Sequence, residues 1–276
     1  MLVHQPSRWW TASCIDCLCR CVNIHSAHGL RYIFRYGKTH QMDQMLDIEW
    51  NKMNTRWLNF FAKQNVIMMN QVKRYISQRY SNNPKTSPPL SKLFNPFKYT
   101  NPFSIQVVIM NQAASVDSIG YAFSSSDKTK TITNIEDEIC KEYQTPQFQI
   151  TDEWFDNVSK QGVFMPVIRW FDGARDEIPI YVKQFWDTVF NYLQTLGNII
   201  WFAWGSENEI YINRILNISE DNVNKKKPDE KIKVITNVKI RDNTPSGITF
   251  RGTGCFILAN HYLKQYHRKG IRWNVQ

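Results

Sequence analysis

The sequence predicts an α/β fold of three layers, α/β/α, with helices on both faces of a central four-stranded parallel sheet. Four short apolar runs, rich in β-branched and aromatic residues, have the length of strands that are buried on both faces. Segments with helical spacing separate these runs, and strands that alternate with helices form parallel sheets. The 276 residues suffice for one medium-sized domain with an extension.

The predicted strands are IQVVIM at 105–110, GVFMPVI at 162–168, NIIWFAW at 198–204 and KVITNVKI at 233–240. Helices are predicted around 134–143, 151–161 and 181–196, and an aromatic-rich helical region at 47–77 is interpreted as core. Residues 1–45 lack clean periodicity, so we predict a poorly ordered N-terminal extension there and a domain at 46–276. Open α/β sheets bind ligands at the carboxyl ends of their strands, which draws attention to the residues after Met110.

The charge of the chain favours a polyanionic partner. It has 34 Lys and Arg against 24 Asp and Glu, a formal charge of +10 and a pI near 9.3. Nucleic acid is the first expectation and an acidic membrane surface the second. No run approaches the roughly 20 apolar residues that cross a bilayer, and the N-terminus lacks an apolar signal core. We therefore expect a soluble intracellular protein without a membrane partner, with an organellar targeting segment as a minor alternative.

The N-terminal segment also carries cysteines and histidines. Cys14, Cys17, His25 and His28 could hold a zinc ion, because thiolate and imidazole ligands lie close together. No second CxxC follows at the spacing of a zinc finger, so an extension without metal is the preferred interpretation. We expect no metal and no cofactor.

Several motifs in order resemble the uracil-DNA glycosylase family of cells and herpesviruses, over residues 46–276. The segment PPLSKLFNPFKYTNPFSIQVVIMNQ resembles the family's run from a proline-rich turn into a VVI strand. GYAFS, TNIEDEI, QGVFM and QFWD resemble later family motifs, and WGS is identical to one of them. TPSGITFRGTGCFILANHYL resembles the family's HPSPLS loop and the helix after it, and GIRW resembles its terminal PIDW. The resemblance implies a uracil-DNA glycosylase-like fold. The chain is expected to be a degenerate member of the family, because it lacks the residues of the catalytic motifs.

The residues that the family uses for excision are replaced. Ala113 stands where the resemblance implies the catalytic aspartate, and Ser115 stands where it implies the tyrosine that excludes thymine. Val167 is the best match for the asparagine that reads uracil. Thr244 is the best match for the catalytic histidine, although a shift of one or two residues would bring Asp242 or Asn243 there. Asp117 and Asp242 are the candidates for rescue of the chemistry.

Residues with a binding role are retained better than the catalytic ones. Gln112 is kept, and Phe123 occupies the place of the phenylalanine that stacks on the flipped base, with a core aromatic as the alternative. Ile248 stands at the position of the apolar wedge that enters the minor groove. Lys264, His267, Arg268 and Lys269 add positive charge nearby in sequence. The predicted DNA-binding residues are Pro245, Ser246, Ile248, Thr249, Arg251 and Gly252.

These observations favour a catalytically inactive homologue that binds DNA or acts as a scaffold in replication or repair. A viral origin and a location in the nucleus or at another site of DNA replication follow by analogy with the family. The first alternative is an active base-excision enzyme with rearranged catalytic residues or altered base specificity. The second is a structural subunit that binds protein or RNA.

Overall fold

The computed structural model describes residues 27–171, 177–216, 232–237 and 250–275. Four parallel strands form the central sheet, in the order β3-β1-β5-β6. This confirms the predicted fold class. The strands are β1 Val107–Ile109, β2 Asn111–Ala113, β3 Val163–Phe164, β4 Val167–Arg169, β5 Ile199–Trp204 and β6 Ile232–Asn237.

The central strands are buried on both faces, which explains their continuous apolar sequences. Side chains alternate between the two faces of a strand, and two separate hydrophobic cores result. In β1, Val108 packs into the first core, while Val107 and Ile109 pack into the second core. In β5, Trp201 and Phe202 divide in the same way. The sheet is therefore the middle of three layers.

One predicted strand is divided in the structure. The run GVFMPVI was expected to form a single strand, but its first part is β3 and its last part is β4. Pro166 lies between them and has no N–H to donate to a ladder. Its carbonyl oxygen accepts the N–H of Asn111 (3.2 Å), and β4 pairs with β2 in a separate two-stranded sheet. The chain after β1 thus bends away from the main sheet.

Four of the described helices begin at polar residues whose side chains cap the first turn. Asn54, Asn65, Thr129 and Thr151 accept backbone N–H groups in the first turns of their helices. None of the described helices is long and apolar enough to cross a membrane. The helices are α1 Ala27–Trp50, α2 Thr55–Phe61, α3 Val66–Asn82, α4 Leu90–Leu93, α5 Asn95–Tyr99, α6 Lys130–Tyr143, α7 Asp152–Lys160, α8 Ile180–Leu196, α9 Ser206–Ile215 and α10 Cys255–Gln265.

The aromatic stripe upstream of β1 belongs to the first core, as the sequence indicated. Trp57 is fully buried, stacks on Phe61 and donates its indole N–H to Thr100 Oγ1 (3.3 Å). Helix α1 runs through residue 45, where the sequence placed the start of the domain, and its last turn buries Leu46 and Trp50. The division at residue 45 stays a prediction.

Candidate functional site

A cavity of about 710 Å³ opens at the carboxyl ends of β1 and β5, where open α/β sheets bind ligands. Its floor is buried and includes Phe123, Trp204 and Asn208. Its rim is exposed and carries three carboxyl groups. None of the described lining residues is basic. The lining residues are Asn111, Gln112, Ala113, Ala114, Ser115, Val116, Asp117, Phe123, Ser125, Asp127, Thr129, Trp204, Gly205, Ser206, Glu207 and Asn208.

The segment GYAFS positions Phe123 on the floor of the cavity. Gly120 has φ +92°, and a Cβ there would lie 2.0 Å from the backbone oxygen of Lys92, so only glycine fits. The Ser124 hydroxyl donates to the Tyr121 carbonyl oxygen (2.7 Å) and closes the turn. Phe123 itself has φ +63°, a conformation that costs a bulky residue roughly 1–3 kcal/mol and persists only because the surrounding structure imposes it. Its ring lies 5.4 Å from the Trp204 ring, at 48°.

The segment after β1 brings four of the residues predicted from the sequence to this cavity. Asn111 holds the segment with its own side chain, because its Oδ1 accepts the Gln112 N–H (2.9 Å) and its Nδ2 donates to the Ala113 carbonyl (2.8 Å). Gln112, Ala113, Ser115 and Asp117 all line the cavity, together with Phe123. Asp117 lies on the exposed rim with φ +57°, and its carbonyl oxygen accepts the Ser126 N–H (3.0 Å).

Val167 is the predicted pocket residue that the structure places elsewhere. It is 4% exposed, opposes Asn111 in the two-stranded sheet and packs in the second core. Val167 is not one of the described residues that line the cavity. Thr244, Asp242, Asn243, Pro245, Ser246, Ile248 and Thr249 lie outside the described residues, as do Cys14, Cys17 and His25 and the side chain of His28. No group of metal-binding residues is found in the described part of the chain.

Three buried polar atoms at the cavity have no hydrogen-bond partner among the described residues. They are Asn208 Oδ1, Trp204 Nε1 and Gln112 Nε2. Asn208 is 5% exposed, and its Nδ2 donates to the Trp204 carbonyl oxygen (2.9 Å). A carbonyl oxygen only accepts, so this contact fixes the orientation of the Asn208 amide. Asn208 was not predicted from the sequence, where its signal was an asparagine in the first turn of the helix after WGS.

A second cavity of about 460 Å³ shares Gln112, Ala113 and Glu207 with the first. Its other side carries two guanidinium groups, those of Arg169 and Arg214. Arg214 lies over the Tyr211 ring (4.7 Å) and pairs with Asp187 (3.5 Å) across an exposed surface, where an ion pair stabilises little. Positive charge therefore lies beside the acidic rim and not on it.

Arg251 and Gly252 contact helix α6. Arg251 forms an ion pair with Asp137, and the Gly252 N–H donates to Glu138. Glu138 is fully buried and also accepts the Gly254 N–H (2.6 Å) and the Thr253 hydroxyl (3.2 Å). These contacts fix the loop that leads into α10.

Glu142, one turn further along α6, accepts the backbone N–H groups of Phe256 (3.2 Å) and Ile257 (2.5 Å) at the start of α10. Its burial raises the pKa of this carboxyl to about 7, although these two hydrogen bonds lower it. Glu138 and Glu142 of α6 thus hold the loop and the helix that follow residues 238–249.

The basic residues at the C-terminus lie away from the cavity, although the sequence analysis grouped them with the DNA-binding loop. The carbonyl oxygen of Lys269 accepts the side-chain N–H of Gln106 (3.0 Å), which precedes β1. The cavity lies at the other end of that strand. These basic residues follow the predicted DNA-binding loop in sequence, but they do not lie at the mouth of the cavity.

The architecture is similar to that of solved uracil-DNA glycosylases. The mimivirus enzyme matches with a TM-score of 0.61 at 17% identity, over 82% of this chain and 89% of that one. The fold is that of the uracil-DNA glycosylases. A variant of the mimivirus enzyme in complex with UGI matches with a TM-score of 0.60 at 18% identity, over 80% of this chain and 89% of that one.

A third structure, the UNG of Nitratifractor salsuginis, matches with a TM-score of 0.52 at 11% identity, over 74% of this chain and 90% of that one. No protein-family model matches the chain, and no curated protein matches it in sequence. At these identities the similarity establishes the uracil-DNA glycosylase fold alone.

Proposed function

We propose that this chain is a catalytically inactive homologue of the uracil-DNA glycosylases that binds DNA and receives an unpaired nucleotide in the central cavity. The observation that carries the proposal is the pairing of Ala113 with Phe123 in one cavity. The resemblance implies that Phe123 is the stacking residue of the family, and it implies a catalytic carboxylate where Ala113 has a methyl group. A nucleotide can be held in such a site without being cut.

The missing groups are those that excision needs most. Cleavage of the glycosidic bond develops positive charge on the sugar and negative charge on the leaving base. A positioned carboxylate and a hydrogen-bond donor to the base each contribute roughly 10²- to 10⁴-fold in rate. Ala113 supplies neither charge nor a proton. Loss of both groups would bring excision to the limit of detection.

The distribution of charge supports contact with a nucleic-acid backbone beside the cavity. The chain carries a formal charge of +10. Arg169 and Arg214 lie in the neighbouring cavity, where phosphates that flank an extruded nucleotide would meet them. The acidic rim, with Asp117, Asp127 and Glu207, would repel phosphate and favour entry of an uncharged base. A scaffold role in replication or repair, a viral origin and a nuclear location extend this proposal by analogy with the family.

An active enzyme with rearranged residues is the second candidate, and one observation favours it. The carboxyl group of Asp117 lines the same cavity as Phe123. Its place on the exposed rim, four residues beyond Ala113, argues against the geometry that catalysis requires, because positions must hold to about an ångström. Asp242, the other candidate for rescue, lies outside the described residues.

The test measures excision and binding on the same samples. Protein in excess over single-stranded and duplex uracil-containing DNA is assayed for uracil release, and binding is followed across a salt series. We expect no release, and binding whose logarithm falls steeply with the logarithm of the salt concentration. Release that disappears in D117N would establish the enzyme instead. Failure of both assays would leave a subunit that binds protein or RNA.

A further inference from the structure

We propose that the edge of the sheet opposite the cavity binds single-stranded DNA through a surface of positive charge and exposed aromatic rings. This surface lies where β1 and β3 begin, whereas the cavity lies at the carboxyl ends of β1 and β5. The 6 residues of β5 separate the two ends of the sheet by about 20 Å. We call it the amino-edge surface, and its residues are Arg56, Tyr99, Phe103, Lys160, Lys269 and Arg272.

Hydrogen bonds bring segments that are distant in sequence together at this edge. The side-chain N–H of Gln106, the residue before β1, donates to the carbonyl oxygens of Gln161 (3.0 Å) and Lys269 (3.0 Å). The side chain of Gln161, which precedes β3, accepts the backbone N–H of Arg272 (2.8 Å) and donates to its carbonyl oxygen (3.3 Å). These contacts place the basic residues of the C-terminus next to the end of α7 and to Lys160.

Two aromatic side chains of the amino-edge surface are exposed, although aromatic rings are mostly buried in folded proteins. Phe103 is 57% exposed and Tyr99 is 37% exposed. A cation lies over each ring, because the Arg56 guanidinium is 5.6 Å from the centre of Phe103 and the Lys160 ammonium is 5.4 Å from that of Tyr99. The hydroxyl of Tyr99 contacts Asp156 of α7. The surface therefore alternates aromatic rings with positive charges.

The turn that carries Phe103 packs against the same edge. Gly162 has φ +97°, and a Cβ there would lie 2.3 Å from the carbonyl oxygen of Ser104. The turn therefore lies directly on the backbone that leads into β3. The N–H of Phe103 donates to Asn101 Oδ1 (3.1 Å), which fixes the conformation of the turn. Phe103 is thus held at the edge by backbone contacts, while its ring faces solvent.

The basic side chains of this surface are not neutralised by ion pairs within the described part of the chain. Lys160, Lys269 and Arg272 are exposed, and none of them pairs with a described carboxyl group. Asp152 and Glu153 lie in the first turn of α7, at the far end of that helix from Lys160. The positive charge at this edge is therefore available to a polyanion.

This combination of groups fits a single strand better than a duplex. Cations along a surface contact the phosphates, while aromatic rings stack on unpaired bases, whose faces are covered in a duplex. An acidic protein would match the charges but not the stacking rings. The inference goes beyond the proposed function, which places DNA at the cavity on the other end of the sheet.

The test is the binding of a fluorescent oligothymidine of about 15 nucleotides to the whole protein, followed by anisotropy across a salt series. We expect the logarithm of the affinity to fall with the logarithm of the salt concentration, with a slope of about 0.7 for each phosphate contacted. K160A/R272A should lower that slope by about 1.4. K63A/K85A removes two exposed lysines of other segments and should leave the slope unchanged.

Variants of Phe103 separate stacking from charge. F103L keeps an apolar side chain but removes the ring, so we expect binding to weaken by about 5- to 150-fold at an unchanged salt slope. F103W retains an aromatic ring and should bind like the unaltered protein. The side chain is 57% exposed, so neither change should alter the fold, and circular dichroism checks this.

Absence of oligothymidine binding by the unaltered protein would overturn the proposal and leave an acidic protein as the partner. Equal binding by the unaltered protein and K160A/R272A would overturn it too, as would binding that is lost in R214A alone, which places the strand at the second cavity. Tighter binding of oligouridine, or of a duplex of equal length, through the same residues would reassign the surface to RNA or to paired DNA.

The proposed function can fail separately from this inference. A protein that binds oligothymidine through the amino-edge surface but binds no duplex would keep the inference and lose the proposed function. A protein that binds duplex DNA in a manner that depends on Arg214, and binds oligothymidine equally with and without Lys160 and Arg272, would keep the proposed function and lose the inference.

Discussion

The buried carboxyl group of Glu138 holds the loop that leads into α10, and its removal should lower the free energy of unfolding. Glu138 accepts the N–H groups of Gly252 and Gly254 and the hydroxyl of Thr253. E138A would leave these three donors without their partner. An unsatisfied buried donor costs roughly 1–3 kcal/mol. The loop is partly exposed, so water can reach some of these donors, and we expect a total loss of about 3 kcal/mol in the free energy of unfolding.

Asp137, the neighbour of Glu138 in sequence, provides the matched control. Its ion pair with Arg251 is formed by side chains that are 41% and 55% exposed, and such pairs contribute roughly 0–1 kcal/mol. D137A removes the same chemical group one residue away. It should therefore change the free energy of unfolding by less than about 1 kcal/mol.

Urea unfolding followed by circular dichroism measures both variants. We expect E138A to lower the midpoint at an unchanged slope, and to lower the melting temperature by about 6–12 °C for a chain of this size. D137A should stay within about 3 °C of the unaltered protein. Equal effects of the two substitutions would refute the assignment of the loop to the Glu138 carboxyl group.

Three further predictions concern the turn at Gly120, the start of α10 and the second cavity. G120A should lower the free energy of unfolding by more than about 3 kcal/mol in urea, because its Cβ would meet a backbone oxygen at 2.0 Å, whereas G254A, with nothing within 4 Å, should cost about 1–2 kcal/mol. Burial raises the pKa of Glu142 from 4.5 to about 7, so its contribution to stability is complete below about pH 4.5 and is lost as the pH rises through about 7. E142Q should abolish this part of the pH dependence in urea midpoints, and an unchanged dependence would contradict the assignment. R214A should weaken DNA binding on all sequences and lower the salt slope by about 1, while K63A, whose lysine lines neither cavity, should change neither.

The fold was predictable because the strands of the main sheet are buried on both faces. Runs such as Ile199–Trp204 have no polar alternation, which is typical of a parallel sheet between two layers of helices. The division of the second predicted strand was not predicted, although Pro166 gave a local signal. Strand β4 lies in a second sheet because it pairs with β2, and these two strands are distant from each other in sequence.

The cavity was predictable in part. The residues after β1 were expected at the carboxyl end of the sheet, and Gln112, Ala113, Ser115, Asp117 and Phe123 are found there together. Val167 was assigned to the pocket by its order in a motif, but the inward or outward direction of one side chain cannot be inferred from order alone.

Asn208 at the cavity and Glu138 beside the loop before α10 were missed for a related reason. Glu138 accepts backbone N–H groups that are distant in sequence, and Asn208 lines a cavity. Both environments exist only in the folded chain. Glu138 did give a signal, since it stands three residues after Ile135 and next to Ile139, on the apolar face of a helix. A charged residue on such a face needs a buried partner.

Uracil release under single-turnover conditions tests directly whether the protein binds DNA without excising uracil. The protein is in excess over duplex DNA that contains one uracil. The unaltered protein, D117N and an active uracil-DNA glycosylase are assayed side by side. Binding to the same duplex is measured in each sample. We expect the duplex to be bound with an affinity that falls steeply as salt is added, and we expect no release of uracil by the unaltered protein or by D117N. Release of uracil by the unaltered protein at a measurable rate would contradict this expectation.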